Sequence, residues 1–261
     1  KATKTCFGYP SADYWGHTLD KDGHRAAIHN LSPIKNMVAP DNISELRRVL
    51  GLMVQHKDSI PSWAFDVRPL HALTRKGVLW DWTQQCDTAF ESLRKACLEN
   101  SILTSPDYTK QFIAGCDASD DGKGVQLYQL TNPAKPDKIE NRGTIAYYSK
   151  IWSPAMSRRP PYYKEADCLI TGLTLAKPYA DASPFPIKGI TDHAPLKWIK
   201  TAAKGPVTGW RIENLAGMDY DVIHRAGKDH IIPDALSRYP FLGPKRLRRL
   251  GLENALEVLL D

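Results

Sequence analysis

Four acidic residues in the second half of the sequence could bind metal ions together. Asp117 follows the apolar stretch QFIAGC and Asp192 follows FPIKGIT, so each is expected where a strand ends. Glu165 lies beside the apolar face of a predicted helix, and Asp234 opens another. Cleavage of a phosphodiester by paired Mg²⁺ ions needs several carboxylates to balance the charge of the ions. The set therefore favours a two-metal hydrolytic site.

Each acid also has an ordinary structural interpretation when it is taken singly. Asp192 and Asp234 could be N-caps of the helices that follow them. Glu165 could be a solvated helix residue, and Asp117 could belong to a turn. Asp167 should point away from Glu165, because residues i and i+2 of a helix do not face each other. Only the occurrence of all four acids in one chain favours the metal site.

The stretch GCDASDDGKG, Gly115–Gly124, has two further interpretations. Gly122 and Gly124 are typical of a hairpin, since glycine tolerates positive φ. The stretch also matches the first, third, fifth and sixth positions of a calcium-binding loop, but the twelfth position is Tyr128 instead of glutamate. We therefore expect a hairpin and no calcium loop.

Histidine and cysteine spacings indicate neither a zinc site nor a disulfide framework. His193, His224 and His230 fit no tight zinc signature. The cysteines are odd in number and show no CxxC spacing. They are expected to be buried thiols in a reducing compartment: Cys6, Cys86, Cys97, Cys116 and Cys168.

Composition indicates an intracellular globular protein. The chain has 261 residues, 42% of them hydrophobic, which is enough for one large domain or two small ones. We expect no membrane span and no signal peptide, and a location in the cytoplasm or nucleus. The net charge of +6 favours polyanionic partners.

The N-terminal third is predicted to be a small, mostly helical unit. A short hairpin closes at Asp22-Gly23. One helix begins after Asn42, with Glu45 completing a capping box, and another begins after Thr83. Between them, IPSWAFDVRPL contains two prolines and is predicted to be a bent connection.

From Gln111 onward the pattern changes to a mixed α/β layer domain, a central mixed sheet flanked by helices. Strands are expected at QFIAGCD, GVQLYQL, GTIAYYSK, FPIKGITD and YDVIHRAG. The helix YYKEADCLITGLTLAK is predicted to end at Pro178, and a last helix to begin near Pro233.

Several segments resemble one family in order and spacing. DASDDGKG, IAYYSK, TDHAPLKWI and HRAGKDHIIPDALSR resemble the ribonuclease H domain of gypsy-class LTR retrotransposon Pol polyproteins. WGHTLDKDG, ISELRRVLGLM, RPLHALTRKG and WDWTQQCDTAFESLRKA are similar to the end of the palm, the thumb and the connection of their reverse transcriptase. The resemblance implies a palm-end, thumb and connection region at 1–105, a ribonuclease H-like domain at 106–240 and a basic, amphipathic tail at 241–261.

The resemblance also implies an activity and its ligands. Asp117, Glu165, Asp192 and Asp234 match the four catalytic acids of the family, which are also its metal ligands. The implied reaction is endonucleolytic hydrolysis of the RNA strand of an RNA:DNA hybrid, with two Mg²⁺ ions or Mn²⁺ in their place. No small-molecule cofactor and no membrane is implied. The expected protein partner is the missing polymerase portion of the polyprotein or a larger assembly.

Basic residues near the third and fourth acids are expected to contact the nucleic acid backbone. They are Lys197, Lys200, Lys204, Arg211, Arg225 and Lys228. The family's Tyr-x-Asp-Asp polymerase turn is absent, so this chain alone should not copy nucleic acid. His230 stands where the family usually has asparagine, and Pro233 replaces a small residue.

One alternative comes from a different functional class. The chain could be a catalytically idle, retroelement-derived structural or nucleic-acid-binding module docked in a larger assembly. The absent polymerase core and the additional tail LRRLGLENALEVLLD motivate this alternative.

Overall fold

A computed structural model describes residues 8–99, 101–136, 139–180, 182–199, 215–226 and 231–237. Within these residues the chain forms two compact units. The first contains Lys1–Ile60 and Pro69–Ser105, and the second contains Pro61–Arg68 and Pro106–Asp261, as far as the structure describes these ranges. No described helix has both the length and the apolar character that a membrane span requires.

The first unit opens with an antiparallel meander of three strands, as far as it is described: β1 (Ser11–Tyr14), β2 (His17–Asp20) and β3 (Gly23–Ala26). Trp15 and Gly16, both at positive φ, form the first turn. The predicted hairpin is present as β2 and β3, and Asp20 pairs with Gly23 across its two-residue loop.

The described chain up to Glu99 also contains five helices: α1 (Ile28–Lys35), α2 (Ile43–Met53), α3 (Trp63–Asp66), α4 (Arg68–Leu73) and α5 (Gln84–Glu99). Helix α3 lies in the stretch Pro61–Arg68 of the second unit, and the other helices belong mainly to the first unit. Asn42 caps α2 as predicted, because its side chain accepts the Glu45 N–H at 3.0 Å. The Glu45 carboxylate accepts from Asp41 N at 3.0 Å, one residue before the position that a capping box predicts.

The segment predicted to be a bent connection contains two short helices, α3 and α4. Pro69 is the second residue of α4. This position tolerates proline because the first N–H groups of a helix have no partner within the helix. The two prolines therefore separate short helices and do not prevent them.

The second unit is built on a mixed sheet of five described strands: β4 (Ile113–Ala118), β5 (Gly122–Leu130), β6 (Arg142–Ile151), β7 (Ile187–Thr191) and β8 (Tyr220–His224). Their order is β6-β5-β4-β7-β8. The pairs β4–β5 and β5–β6 are antiparallel, whereas β7 lies parallel to both β4 and β8. The predicted mixed α/β class, with a central mixed sheet flanked by helices, is confirmed.

Helices cover both faces of this sheet: α6 (Pro154–Ser157), α7 (Pro161–Ala180) and α8 (Ile231–Ser237). A Cβ added to Gly124 of β5 would meet Leu236 of α8. The adjacent Val125 lies instead against Gly172 of α7. Because neighbouring strand residues point to opposite faces, α7 and α8 lie on opposite sides of the sheet.

The predicted end of α7 at Pro178 is wrong, since the helix continues to Ala180. Proline removes one donor, which in a helix would bond to the carbonyl four residues earlier. Pro178 lies in the last turn of α7, so few helical hydrogen bonds follow the one that the proline removes. The cost is therefore small enough for the helix to continue past the proline.

The cysteines within the described chain are free and buried, as predicted. Burial raises the pKa of the Cys97 thiol to about 12. Burial also raises the pKa of Cys168 well above its ordinary value, with a further contribution from the neighbouring Cys116. Cys6 lies outside the described residues.

Candidate active site

Three of the four predicted acids meet at one edge of the sheet in the second unit. One carboxylate oxygen each from Asp117, Glu165 and Asp192 lies within 4.8 Å of the others. Asp117 belongs to the end of β4, and Asp192 directly follows β7. Because these two strands are neighbours and parallel, both aspartates reach the same edge. The second turn of α7 supplies Glu165.

The donor chemistry of this cluster fits a magnesium site. Asp117 is 3% exposed and Glu165 is 8% exposed, whereas Asp192 is more open to solvent. Like charges this close disfavour one another, and a bound cation relieves their repulsion. Carboxylate oxygen is the ligand that hard cations such as Mg²⁺ prefer. The arrangement could therefore hold Mg²⁺, with an open side at Asp192.

Asp234 does not belong to this group of three. It is the fourth residue of α8, so its interpretation as an N-cap is wrong. Asp192 is not a cap either, because the 3-10 turn Ala194–Trp198 begins after His193. Helix α8 reaches the cluster through Ser237, whose hydroxyl donates to Asp117 Oδ2 at 2.6 Å. No local sequence pattern predicts this contact, because it depends on tertiary packing.

Gly122 and Gly124 of GCDASDDGKG do not have positive φ, so that explanation of the two glycines is wrong. They are explained by close packing of neighbouring segments. A Cβ on Gly122 would lie 2.5 Å from the Lys150 carbonyl oxygen, and one on Gly124 would lie 2.3 Å from Leu236 Cβ. Both glycines are needed because other segments approach the strand here.

The hydroxyl of Ser119 takes part in the turn between β4 and β5. It accepts from Asp121 N at 3.1 Å and from Gly122 N at 3.3 Å, and it donates to the Ser237 carbonyl. The described metal-binding group draws its acids from distant parts of the chain. The absence of a calcium loop stays a prediction.

Asp167 points away from the cluster, as predicted, and pairs with Lys123. Their Nζ and Oδ2 atoms lie 2.6 Å apart, and the two side chains are only 7% and 8% exposed. Lys123 also donates to the Thr171 hydroxyl. Sequence reasoning missed Lys123, although strand alternation from Val125 places it on the α7 face.

Sequence reasoning also missed charged side chains near the start of α7. Lys164, next to Glu165, is nearly buried and bonds Asp120 Oδ1 at 2.8 Å, and the Asp120 side chain is 97% exposed. Arg158 and Arg159 are exposed and lie just before α7. Two adjacent arginines before an apolar helix were the sequence signal that could have indicated these exposed cations.

Aromatic rings connect the start of α7 with the end of β7. The rings of Tyr162 and His193 lie 5.7 Å apart, as do those of Tyr162 and Tyr163. The Arg159 guanidinium is 5.7 Å from the centre of the Tyr163 ring. This row of side chains joins the segment carrying Glu165 to the residue after Asp192.

Two of the basic residues predicted to contact nucleic acid lie in the described chain. Lys197 is exposed in the turn that follows Asp192, and Arg225 follows β8 with its N–H donating to Thr191 O at 2.9 Å. The others lie outside the described residues: Lys200, Lys204, Arg211 and Lys228. His224 bonds the Asp192 carbonyl at 2.9 Å through Nε2, while His230 is also outside the described range.

The sequence matches one family model over part of its length and polyprotein relatives over most of its length. Residues 82–187 match the RNase H-like domain found in reverse transcriptase. The chain is 26% identical over 237 residues to a retrovirus-related Pol polyprotein from transposon 412 of Drosophila melanogaster, covering 90% of this chain and 18% of that protein. It is 27% identical over 236 residues to the transposon Tf2-3 polyprotein of Schizosaccharomyces pombe, covering 89% and 17%. It thus spans less than a fifth of these relatives.

Solved structures support the same fold. The foamy viral protease-reverse transcriptase in complex with RNA/DNA hybrid has a TM-score of 0.69 at 18% identity, covering 86% of this chain and 30% of that chain. A second structure, of a foamy viral protease-reverse transcriptase with double-stranded DNA, has a TM-score of 0.66 at 18% identity, covering 82% and 38%. Residues 82–187 thus match the RNase H-like domain found in reverse transcriptase, and the chain as a whole is similar to a segment of retrotransposon Pol polyproteins.

Proposed function

We propose that this chain hydrolyses the RNA strand of RNA:DNA hybrids in a metal-dependent reaction. The observation that carries the proposal is the meeting of Asp117, Glu165 and Asp192 within 4.8 Å at the edge of an RNase H-like sheet. Such a cluster favours phosphodiester cleavage because it combines closely spaced oxygen ligands with an open side.

Asp117, Glu165 and Asp192 would hold the metal, with Asp234 as a fourth acid. Two Mg²⁺ ions held there, or Mn²⁺ as the expected substitute, would supply activation of a water and stabilisation of the charge on the leaving oxygen. The protein's own contribution is orientation. A sheet edge and the helix α7 fix the three carboxylates, and the greater exposure of Asp192 leaves a side from which a phosphate can enter.

Basic and aromatic side chains around the site support a nucleic acid substrate. Arg158, Arg159 and Lys197 are exposed cations on the segments that carry Glu165 and Asp192, and they would contact phosphates. Tyr162 would pack against a sugar or a base. The foamy viral protein with the same fold was solved with an RNA/DNA hybrid, and we extend that class of substrate to this chain.

The test compares four labelled duplexes or strands at equal concentration: an RNA:DNA hybrid, double-stranded RNA, single-stranded RNA and double-stranded DNA. With Mg²⁺, we expect cutting of the hybrid's RNA strand, and no cutting when EDTA removes the metal. Equal cutting of all RNA substrates would reject the hybrid as the specific substrate. No cutting of any substrate by the folded chain with Mg²⁺ or Mn²⁺ would reject the nuclease and favour the structural module.

A further inference from the structure

We propose that Ser237 is a positioning residue that holds the Asp117 carboxylate in the orientation needed to bind metal. This inference rests on the proposed function, because it concerns the same site. Ser237 is the last residue of α8, is completely buried, and donates its hydroxyl proton to Asp117 Oδ2 at 2.6 Å. Hydrogen bonds to ligating carboxylates fix their orientation and tune the metal.

The Ser237 hydroxyl has one proton to donate and two acceptors within hydrogen-bond distance. Besides Asp117 Oδ2, the hydroxyl lies 2.9 Å from the Asp234 carbonyl oxygen in its own helix. An ionised carboxylate is the stronger acceptor and forms the shorter bond. Donation to Asp117 therefore prevails, and it links the first acid to the helix that carries the fourth.

The main chain around Ser237 is held from the other side by the loop that follows Asp117. The Ser119 hydroxyl donates to the Ser237 carbonyl, and the Ser119 carbonyl accepts from Trp152 Nε1 at 2.8 Å. Gly124 lets the end of α8 lie directly on the strand that pairs with Asp117. The hydroxyl is thus placed by a packed interface and does not depend on a mobile side chain.

The experiment measures binding of Mn²⁺ alone, from the electron paramagnetic resonance signal of the free ion, in the full chain. The parent is compared with S237A, which removes the donor, and S237T, which keeps it. The matched control is S149A, which removes a hydroxyl of the same unit that accepts from Ala64 N and does not touch the acids. Circular dichroism verifies that each variant is folded.

We expect S237A to bind Mn²⁺ about ten- to a hundredfold more weakly than the parent, the usual effect of removing a partner of a metal ligand. S237T should restore most of the affinity, and S149A should match the parent. Hybrid cleavage by S237A should show a lower kcat with little change in KM, since the residue is buried and does not reach the substrate.

Two results would overturn the proposal: S237A binding Mn²⁺ as tightly as the parent, or S149A losing as much affinity as S237A. If S237T does not fold, the comparison of Mn²⁺ binding by S237A and by S149A still tests the proposal. A parent that binds Mn²⁺ but cuts no hybrid would refute the proposed function, while the Mn²⁺ titration would still judge Ser237.

Discussion

At the scale of single residues, sequence patterns pointed to the clustered acids and missed the buried partners of Asp117 and Asp167. Asp117 and Asp192 were found because apolar runs predict strand ends, and Glu165 because helical spacing placed it beside the apolar face. Lys123 lies 44 residues before Asp167 in the sequence, and Ser237 lies 120 residues after Asp117. No local sequence pattern therefore predicts these two contacts. Tertiary packing alone creates these contacts.

The buried pair of Lys123 and Asp167 gives the first prediction. Removing one partner leaves an uncompensated buried charge, so K123M should lower the free energy of unfolding by about 3–5 kcal/mol. The double variant K123M/D167N removes both charges and should cost less than K123M alone. Urea unfolding of K123M, D167N and the double variant measures this. A double variant as unstable as the sum of the two single variants would contradict the argument.

At the scale of elements, strand and helix positions were predictable because their apolar periodicity is strong. All five strands of the second unit lie within or beside the stretches predicted from sequence. Boundaries were less predictable, since α7 continues past Pro178 and the bent connection folds into α3 and α4. The roles of Gly122 and Gly124 were also unpredictable, because they depend on which elements pack against the strand.

Two glycine substitutions should act in opposite directions. G124A places a Cβ 2.6 Å from the Leu236 backbone, so α8 must shift, and we expect a loss of about 1–3 kcal/mol in stability. Gly51 lies in α2 with no atom near its Cβ position, so G51A should stabilise by about 0.5–1 kcal/mol. Thermal unfolding of both variants provides the measurement. A gain in stability for G124A would contradict the close approach of α8.

Buried histidines in the first unit predict sensitivity to acid. Desolvation lowers the pKa of His56 and of His24, and the nearby His17 lowers both further, while Asp58 partly opposes the shift at His24. The folded state therefore favours neutral imidazoles. The stabilising contribution of these two neutral histidines should be fully present above about pH 6.5, the ordinary pKa of histidine. It should decrease as the pH falls toward the lower pKa values that the histidines have in the folded state.

This loss amounts to at most about 1.4 kcal/mol per pH unit for each histidine. H56Q should flatten the pH dependence of unfolding below about pH 6.5, measured by hydrogen exchange in α2. H29Q, which removes an exposed histidine, is the matched control. An unchanged slope in H56Q would show that burial of His56 is not the cause.

At the scale of the whole molecule, the resemblance to retrotransposon Pol polyproteins followed from motifs and the fold class from periodicity, and both were confirmed. The assignment of residues 1–105 to palm end, thumb and connection stays a prediction. The chain spans 17–18% of the polyprotein relatives that it matches.

The lack of a Tyr-x-Asp-Asp turn predicts that this chain will not extend a primer. Polymerisation needs carboxylates that position metal ions at the primer end. Incubation of the chain with a primed template, Mg²⁺ and deoxynucleotides should give no extended product, while the same preparation cuts a hybrid. Primer extension that persists after stringent purification would contradict this prediction.

The central claim is that Asp117 is a metal ligand of a nuclease. The most direct measurement is the rate of RNA-strand cleavage in a labelled RNA:DNA hybrid with Mg²⁺, by the parent, D117N and D121N. Asp121 lies four residues away, is exposed and belongs to neither the acidic cluster nor the Lys164 ion pair, so D121N is a matched control. Loss of a direct metal ligand should exceed the roughly hundredfold upper effect of losing a ligand's partner. We therefore predict a loss of more than about a hundredfold for D117N and near-parent activity for D121N. Equal rates for the parent and D117N, with all three proteins folded, would contradict the account.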